Sequence, residues 1–590
     1  MTETEFVYKI NKMNMKHGDP IVPGRINVFV GANNCGKTQL LKDMLNYITG
    51  KREENVIISG LDVEYPDSWA KMESSYKLNI VDVSQGLQLR HLSPTLDKEP
   101  TGPIHHDLRT VLDGWLNGDK LQFRSATGAG FVTYLNTDNR LNLAMGKQVQ
   151  KDLRQRGAKN VLEALYESGS EATQKVRDCM KAIFDDLDVY LDASNLGMIQ
   201  FRVSKDFSSM PENLQEVYEQ LKNVAVLDDQ GDGVRSVLGI IASIVAVKKP
   251  IILLDEPEAF LHPPQALQLG KIISGLISED QQIFVSTHSA DFLRGLLGTT
   301  KDSVVIHLDR VEENATEANV LDAEVLNQIV TDPLLSSGRV LEGMFYKGVV
   351  ATEADSDATF YQRMFQKVGA ADEIHFLHTP GKQALKKIIS PYKKLGIKLA
   401  IIADADVIRE ASDVKALIEL TQDETVKSNI LAKRKSVLEY FQTISKLERL
   451  KTINLELQML INQELPESDD DETVDVIFAE YRAKLGKLRA DSDDLSELKK
   501  KGREAFPAEE KKAKEAKVAF DELCDLCASI GLFIVWVGEL ESWLDDYEIT
   551  RTSNKAKWIV EALTQVYHIE PDTTRNIWKF IYSLKEYLIS

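Results

Sequence analysis

Ile26-Asn27-Val28-Phe29-Val30-Gly31-Ala32-Asn33-Asn34-Cys35-Gly36-Lys37-Thr38 decides the first fold assignment. Ile26 to Val30 reads as a buried strand. Gly31 to Thr38 fits GxxxxGK[ST] in full, and a helix-favouring stretch, Gln39 to Asn46, follows. Strand, glycine loop and helix in that order are the context the motif requires. The glycines let backbone N–H groups curl around phosphate, and the helix N-terminus adds a favourable dipole. The loop, with Asn33, Asn34 and Gln39 beside its glycines, is therefore expected to hold ATP. Lys37 would reach the β and γ phosphates and Thr38 would hold Mg²⁺.

The partner segment is Ile251-Ile252-Leu253-Leu254-Asp255-Glu256-Pro257. Four apolar residues ending in two acids put both carboxylates at the C-terminal edge of a buried strand. Asp255 would organise Mg²⁺, and Glu256 would orient or deprotonate the attacking water. Ser286-Thr287-His288-Ser289 follows the next strand, so His288 can lie over the γ-phosphate. Gln230-Gly231-Asp232-Gly233-Val234-Arg235-Ser236 opens a helix whose small-residue start suits an anion, with Gly233 and Ser236 as its candidate contacts. Gln85 reads equally as a nucleotide-sensing glutamine and as a surface residue.

Outward from these motifs, Arg235–Val247 is expected as a helix, Ile251–Asp255 as a strand and Pro264–Ile277 as a helix. Gln282–Ser286 and Ser303–Leu308 are expected as further strands. Continuous apolar strands between helices predict a parallel sheet covered on both faces. A second α/β unit begins near Gly348, with strands Gly348–Thr352, Glu373–Leu377 and Lys398–Ala403 and helices near 357–367 and 382–394. From about Ile408 to Cys527 the chain is charged and helix-favouring. Glu467-Ser468-Asp469-Asp470-Asp471-Glu472 divides it, as the acidic tip of an antiparallel hairpin would. The strand Leu532–Val537 then resumes the unit.

That second unit carries its own acids. Glu353, Asp355 and Asp357 stand at a strand end and a helix start, and Asp404-Ala405-Asp406 ends another strand. Strand C-termini of a parallel sheet converge on one edge, so Glu353, Asp357, Asp404 and Asp406 can gather there. Close carboxylates repel, and a hard divalent cation such as Mg²⁺ or Mn²⁺ relieves this.

The 590 residues suggest three to four domains. Lys and Arg number 71 against 91 Asp and Glu, a net charge of −20, which excludes binding to nucleic acid or anionic membrane by bulk charge. Four cysteines exclude a disulfide scaffold. Without a signal-length apolar segment at the N-terminus or a bilayer-length run elsewhere, a soluble cytoplasmic protein with no membrane association is expected.

The phosphate loop, Asp255-Glu256, His288 and Glu258-Ala259-Phe260-Leu261-His262-Pro263 together resemble ABC-type ATPase heads of the structural-maintenance (SMC) and RecF-like kind. The resemblance implies a head dimer with two composite nucleotide sites. The usual Ser-Gly-Gly-Gln core of the signature is replaced here by Gly231-Asp232-Gly233-Val234-Arg235-Ser236.

The acid spacing resembles the TOPRIM fold of topoisomerases, primases and certain nucleases, with Ala354 where a glycine is usual. Carried over, Glu353 is the acid/base or metal-ligand glutamate, Asp404 and Asp406 bind metal and act in catalysis, and Asp357 matches an extra acid of the nuclease branch. Gly381-Lys382 matches that branch's turn, though Lys382 reads equally as an ordinary helix-start lysine.

An ABC head followed by TOPRIM resembles the overcoming lysogenization defect (OLD) nucleases. The implied fold class is α/β: an ABC-type P-loop ATPase head plus a TOPRIM (Rossmann-like) domain with a helical, antiparallel coiled-coil insertion. The implied boundaries are 1–335 with an inserted arm at about 60–225, and 340–590 with the hairpin at about 408–527. In Gly538-Glu539-Leu540-Glu541-Ser542-Trp543, Glu541 is the main candidate for a second-metal ligand and Glu539 the runner-up. A late catalytic lysine falls on Lys557 or Lys555.

The resemblance implies an ATP-hydrolysing, Mg²⁺- or Mn²⁺-dependent DNA endonuclease that forms homodimers or higher oligomers through its heads. It also implies an effector of anti-phage defence, Gabija-like or retron-associated, with a helicase-like protein or a reverse transcriptase and its nucleic acid as partner. The rival is an SMC/RecF-like DNA-binding scaffold whose TOPRIM part does not cut.

Other features carry a plainer expectation. Cys524 and Cys527 lack further zinc ligands and read as a packed helix face. His105-His106 reads as a surface pair. Lys386-Lys387, Lys393-Lys394, Lys499-Lys500-Lys501 and Lys511-Lys512 read as solvated faces, with the first two pairs also candidates for DNA-backbone contact.

Overall fold

The computed structural model describes residues 7–67, 117–148, 160–195, 197–298, 302–312, 315–321, 338–369, 371–379, 382–442, 446–462, 471–491, 495–547 and 555–589, with a few single positions between. The chain divides into two compact units, residues 1–345 with 394–396, and residues 346–393 with 397–590.

The first unit is built on a six-stranded sheet. Its strands are β1 (Ile26–Val30), β2 (Val132–Leu135), β3 (Ile251–Asp255), β4 (Gln282–Ser286), β5 (Ser303–Glu312) and β6 (Ala315–Leu321). The order is β6-β5-β1-β4-β3-β2, parallel throughout except for β6. Every residue of β1, β3 and β4 is buried, as continuous apolar strands between covering helices require. The helices α1 (Lys37–Ile48), α2 (Thr137–Leu143) and α3 (Asp232–Val247) flank this sheet. Phe29, Leu40, Leu41, Met44, Leu253 and Phe284 form the centre of one apolar cluster.

The 60–225 stretch supplies β2, so part of it lies within the six-stranded sheet. It also carries an antiparallel pair, Asp188–Asp192 with Met198–Ser204. Asp188 locks that pair to the helix Gly169–Ile183. Its buried carboxylate accepts from Arg177 Nη2 at 2.8 Å, Lys181 at 3.0 Å and the Phe207 amide at 2.8 Å.

The second unit has strands β7 (Gly348–Thr352), β8 (Ile374–His378), β9 (Lys398–Asp404) and β10 (Leu532–Val535). The sheet is fully parallel, ordered β8-β7-β9-β10. Helix α4 (Asp355–Lys367) leaves the edge of β7. Between β9 and β10 runs a helical insertion with α5 (Glu424–Phe441), α6 (Lys446–Ile461), α7 (Asp471–Asp491), α8 (Ser496–Lys501) and α9 (Lys511–Ser529). Lys433 pairs with Glu522, and the Tyr440 hydroxyl donates to Glu510 at 3.3 Å, so α5 and α9 run antiparallel. Phe441, Phe506 and Phe520 pack between them. Most of the acidic run at 467–472 lies outside the described residues. Cys524 and Cys527 are buried free thiols on α9, and burial pushes the Cys527 thiol up to about 12.

Among the described residues no helix is long and apolar enough to cross a membrane.

Burial alone would raise the Asp188 pKa, but the hydrogen bonds from Arg177, Lys181 and the Phe207 amide outweigh it and bring it to about 2. Its stabilising contribution is present above the unfolded carboxylate range and fades as pH falls from about 4 towards 2. Asp188→Asn should cost roughly 3 kcal/mol at pH 7, the scale of breaking a buried ion pair. Urea unfolding should show that gap, and should show it narrowing at pH 3.

Candidate functional sites on two sheet edges

β1 delivers the chain to the phosphate loop. Gly31 (φ 140°), Asn34 (φ 64°) and Gly36 (φ 105°) all have positive φ, which curls the loop tightly. A Cβ on Gly31 would stand 2.3 Å from the Leu308 carbonyl, so only glycine fits. Lys37 is almost fully buried, and its ammonium donates to the carbonyls of Gly31 and Ala32 at 2.9 Å each. Burial lowers its pKa, with Cys35, Glu256 and Asp255 opposing. Gln39 is engaged with Asp43 at 2.8 Å.

Across the edge, Asp255 Oδ1 accepts from Thr38 Oγ1 at 3.0 Å and from the Ser286 hydroxyl. Tyr134 reaches Asp255 Oδ2 at 3.4 Å, and burial followed by that carboxylate pushes its phenol up. Thr38 and Asp255, both expected at a cation, are thus brought together. Glu256 adopts φ 48°, its amide donating to the Ser286 carbonyl at 3.0 Å. His288 Nε2 lies 3.3 Å from Glu256 Oε1, and that hydrogen bond leads the causes holding the Glu256 carboxyl below its ordinary range.

Glu258 fixes the backbone of this segment. Its Oε1 accepts from Thr287 Oγ1 at 2.8 Å and from the His288 amide at 2.7 Å, while burial pushes its pKa up. Arg140, fully buried, donates to the carbonyls of Asp255 and Glu256 at 2.6 and 2.7 Å.

The helix start expected to suit an anion is that of α3, capped by Gly231, with Arg235 paired to Asp232 at 3.1 Å. Gly233 is half-buried at its first turn, its Cα approaching the Phe260 carbonyl. Ser236, expected at nucleotide, faces inward and is completely buried. With one turn of 3.6 residues, Gly233 and Ser236 share a helix face, and the deeper one is sealed by core packing. Gln85 lies outside the described residues.

On the second sheet, Glu353 follows β7, Asp357 sits in the first turn of α4, and Asp404 ends β9 with Asp406 in the next turn. Glu541, 5 % exposed, lies on the 3₁₀ segment Leu540–Tyr547 just after β10. β7 and β10 both pair with β9, so these positions share one edge. Tyr361 marks the convergence: its buried hydroxyl accepts from Trp543 Nε1 at 2.9 Å. Burial pushes that hydroxyl up, and Asp357, Asp404 and Glu541 add to the shift.

A cation also sits here. Lys499, from α8, lies 2.9 Å from Asp406 Oδ2. Burial opposes its charge, but Asp406, Asp404 and Glu539 prevail and raise its pKa. Among the described residues no three His, Cys, Asp or Glu side chains are drawn to metal-ligating spacing. The donors are all carboxylate oxygens, the class hard divalent cations take, and they fit such an ion in chemistry.

Asp355 is engaged by His378 Nδ1 at 2.9 Å. Lys386 pairs with Asp413 at 2.8 Å, and Lys393 donates to the Glu419 carbonyl at 3.0 Å, so both lean on the helical insertion. Gly381, His105 and His106 lie outside the described residues, as do the side chains of Lys382, Lys555 and Lys557.

Sequence reasoning missed Tyr134, Arg140, Glu258 and Lys499. Glu258 had a signal, three residues past Asp255 on the same loop. Lys499 had none, standing 93 residues from Asp406 in a run that reads as surface.

Residues 145–294 match the family described as "AAA domain, putative AbiEii toxin, Type IV TA system". Residues 344–406 match "Overcoming lysogenization defect protein-like, TOPRIM domain". The chain therefore combines a P-loop ATPase-type domain with a TOPRIM domain. That is the ATPase–TOPRIM architecture of the overcoming lysogenization defect family.

Old nuclease of Escherichia phage P2 is 24% identical over 227 residues, 35% of this chain and 38% of that protein's length. Among solved structures, the SMC head bound to the C-winged helix domain of ScpA is 11% identical with a TM-score of 0.32, covering 53% of this chain and 98% of that one. The SMC head domain from Thermotoga maritima is 12% identical with a TM-score of 0.28, covering 53% and 99%.

The loop after β10 is held against α8 with no room to spare. Gly538 has φ 112°, and a Cβ there would stand 2.3 Å from the Lys499 carbonyl. Gly538→Ala should destabilise the second unit by about 1–3 kcal/mol, the cost of a strained backbone. Thermal unfolding should record it, with nucleotide affinity unchanged.

Proposed function

We propose that the protein is an ATP-binding and ATP-hydrolysing, divalent-metal-dependent DNA endonuclease, nicking or cutting, whose nuclease is governed by nucleotide state or by a partner. The observation that carries this is the pair of constellations, each at the C-terminal edge of its own parallel sheet. One combines a phosphate loop with Asp255, Glu256 and His288. The other combines Glu353, Asp357, Asp404, Asp406 and Glu541.

At the first site the backbone amides of Gly31 to Thr38 and the Lys37 ammonium would bind phosphate, with Asn33 and Asn34 of the loop and Gln39 after it as further nucleotide contacts. Thr38 and Asp255 would hold Mg²⁺, and Gly233 of a second head would complete the site. Glu256, tied to His288, would orient water and take its proton.

At the second site Glu353, Asp357, Asp404, Asp406 and Glu541 would hold Mg²⁺ or Mn²⁺. Bound there, such ions polarise the phosphodiester and stabilise the attacking and leaving oxygens. Glu353 would also serve as acid or base. Lys557 or Lys555 would contribute positive charge to the transition state. DNA, a homodimer of heads and a defence partner, helicase-like or a reverse transcriptase with its nucleic acid, complete the proposal of an anti-phage effector.

The rival, a DNA-binding ATPase scaffold that does not cut, draws on the Lys499–Asp406 ion pair, which already neutralises one acid of the second site. One assay separates the two. Purified full-length protein is incubated with supercoiled plasmid and Mg²⁺ or Mn²⁺, with ATP, with ADP and without nucleotide. Cleavage is expected, and Asp404→Ala should remove at least 100-fold of it while leaving ATP affinity unchanged. Lys37→Ala should weaken ATP binding at least 10-fold and change the nucleotide dependence of cutting. No cleavage in any nucleotide state, with or without a partner, would refute the nuclease.

A further inference from the structure

Glu256 occupies an unusual backbone position for its work. Its φ of 48° lies in the left-handed region, which a β-carbon disfavours. Something must hold it there, and the polar contacts of the two flanking peptides identify what does. The Glu256 amide donates to the Ser286 carbonyl at 3.0 Å, which anchors one side. Arg140 holds that same peptide and the one after it. Nη1 donates to the Asp255 carbonyl at 2.6 Å and Nη2 to the Glu256 carbonyl at 2.7 Å. One planar fork thus spans the two peptides that set the direction of the Glu256 side chain.

Arg140 has no surface exposure. Its charge is compensated at longer range by Glu258, Asp255 and Glu256. A buried guanidinium aimed at two carbonyls, when a buried carboxylate would satisfy it better, is costly as a stabilising device. It is well suited to fixing geometry, because the fork is rigid and bidentate.

The scaffold behind it is equally fixed. Asn136 and Asn139 form a reciprocal capping box at the start of α2, at 3.0 and 2.8 Å, and Asn139 Nδ2 donates to the Tyr134 carbonyl at 2.8 Å. These bonds tie α2 to the end of β2. On the opposite side Gly239 of α3 lies so close that a Cβ there would meet the Arg140 carbonyl at 2.3 Å. Arg235 Nη2 donates to the Leu141 carbonyl at 3.4 Å. α2 is thus held between β2 and α3, with its central arginine on the main-chain carbonyls of Asp255 and Glu256.

We infer that Arg140 is a positioning residue for phosphoanhydride hydrolysis, holding the Glu256 backbone in its left-handed conformation so that the carboxylate meets His288 and the attacking water. It touches neither nucleotide nor water in this role and acts through Glu256. The inference rests on the proposed role of Glu256 as the group that orients water.

The test uses the full-length chain and four proteins: wild type, Glu256→Gln, Arg140→Lys and Arg140→Met. ATP affinity, kcat, KM and the unfolding midpoint are measured for each. A lysine keeps the charge but one ammonium cannot reproduce the two-carbonyl fork, so Arg140→Lys is the variant that separates geometry from charge and fold. The expected result for Arg140→Lys is a kcat at least 10-fold below wild type with KM and ATP affinity within threefold. Arg140→Met should fall further, towards the level of Glu256→Gln. A folding defect in Arg140→Met would appear in its midpoint, and Arg140→Lys then decides alone. A wild-type kcat in Arg140→Lys beside an inactive Glu256→Gln overturns the positioning role while the Glu256 role stands. Parallel loss of ATP affinity and kcat in Arg140→Lys overturns it too, because that is the pattern of general structural damage. A wild-type kcat in Glu256→Gln overturns the Glu256 role itself and the inference with it.

Discussion

Asp255 and Ser286 are register partners on adjacent parallel strands, and much of the first site follows from that pairing. The register sets the Ser286 hydroxyl on the Asp255 carboxylate and the Ser286 carbonyl on the Glu256 amide. It also sends Thr287 and His288 across to Glu258 and Glu256. A parallel sheet delivers every strand C-terminus to one edge, so acids far apart in sequence meet without long loops to carry them. The second sheet repeats the device. Asp404 pairs in register with Val535, and the Ala405 amide donates to the Gly538 carbonyl at 2.8 Å. That contact carries the chain of Glu539 and Glu541 back to Asp404 and Asp406.

Such convergence concentrates charge where water is scarce, and the first unit answers with a network rather than with isolated ion pairs. Lys37 is held by carbonyls, Asp255 by three hydroxyls, and Arg140 by two carbonyls. Buried groups of this kind contribute little net stability, since desolvation offsets much of what their partners return. Their value lies in restricting each side chain to one geometry before any ligand arrives. The positive-φ residues Asn34 and Glu256 fit the same account, because strained backbone persists where surrounding contacts over-determine it.

The core strands were legible because burial on both faces demands unbroken apolar runs. Ile251–Asp255, Gln282–Ser286 and Gly348–Thr352 stand where hydrophobicity places them. Helix starts were less legible: α3 begins at Asp232 rather than Arg235, and α4 at Asp355 rather than 357, since polar first turns carry no apolar period. β2 was not legible. Four residues with the half-buried Tyr134 among them look like any short extended piece, and their pairing with β3 spans more than a hundred residues. The candidate acids of both sites announced themselves by standing at strand ends. Arg140 and Lys499 did not, because each acts on a residue distant in sequence through a tertiary contact, and no local pattern encodes the partner. Ser236 shows the reverse error. A serine at a helix start looks available to a ligand until packing decides which face is sealed.

The net charge of −20 acquires a different meaning once these contacts are known. Several of the acids are not surface charge. Asp188, Asp255 and Glu541 are buried, and the first of these is neutralised by Arg177 and Lys181. Lysines that look like solvated faces are in part counter-charges: Lys386 for Asp413, Lys433 for Glu522, Lys499 for Asp406. Lys499 is the instructive case. It comes from a six-residue helix at the base of the insertion, and that helix is packed against Gly538 in the loop bearing the late acids. A helical segment of more than a hundred residues thus returns to the sheet by placing a cation on Asp406. An ammonium at 2.9 Å in a partly buried site is weakly screened, so the placement of α8 sets the charge balance at Asp406 directly.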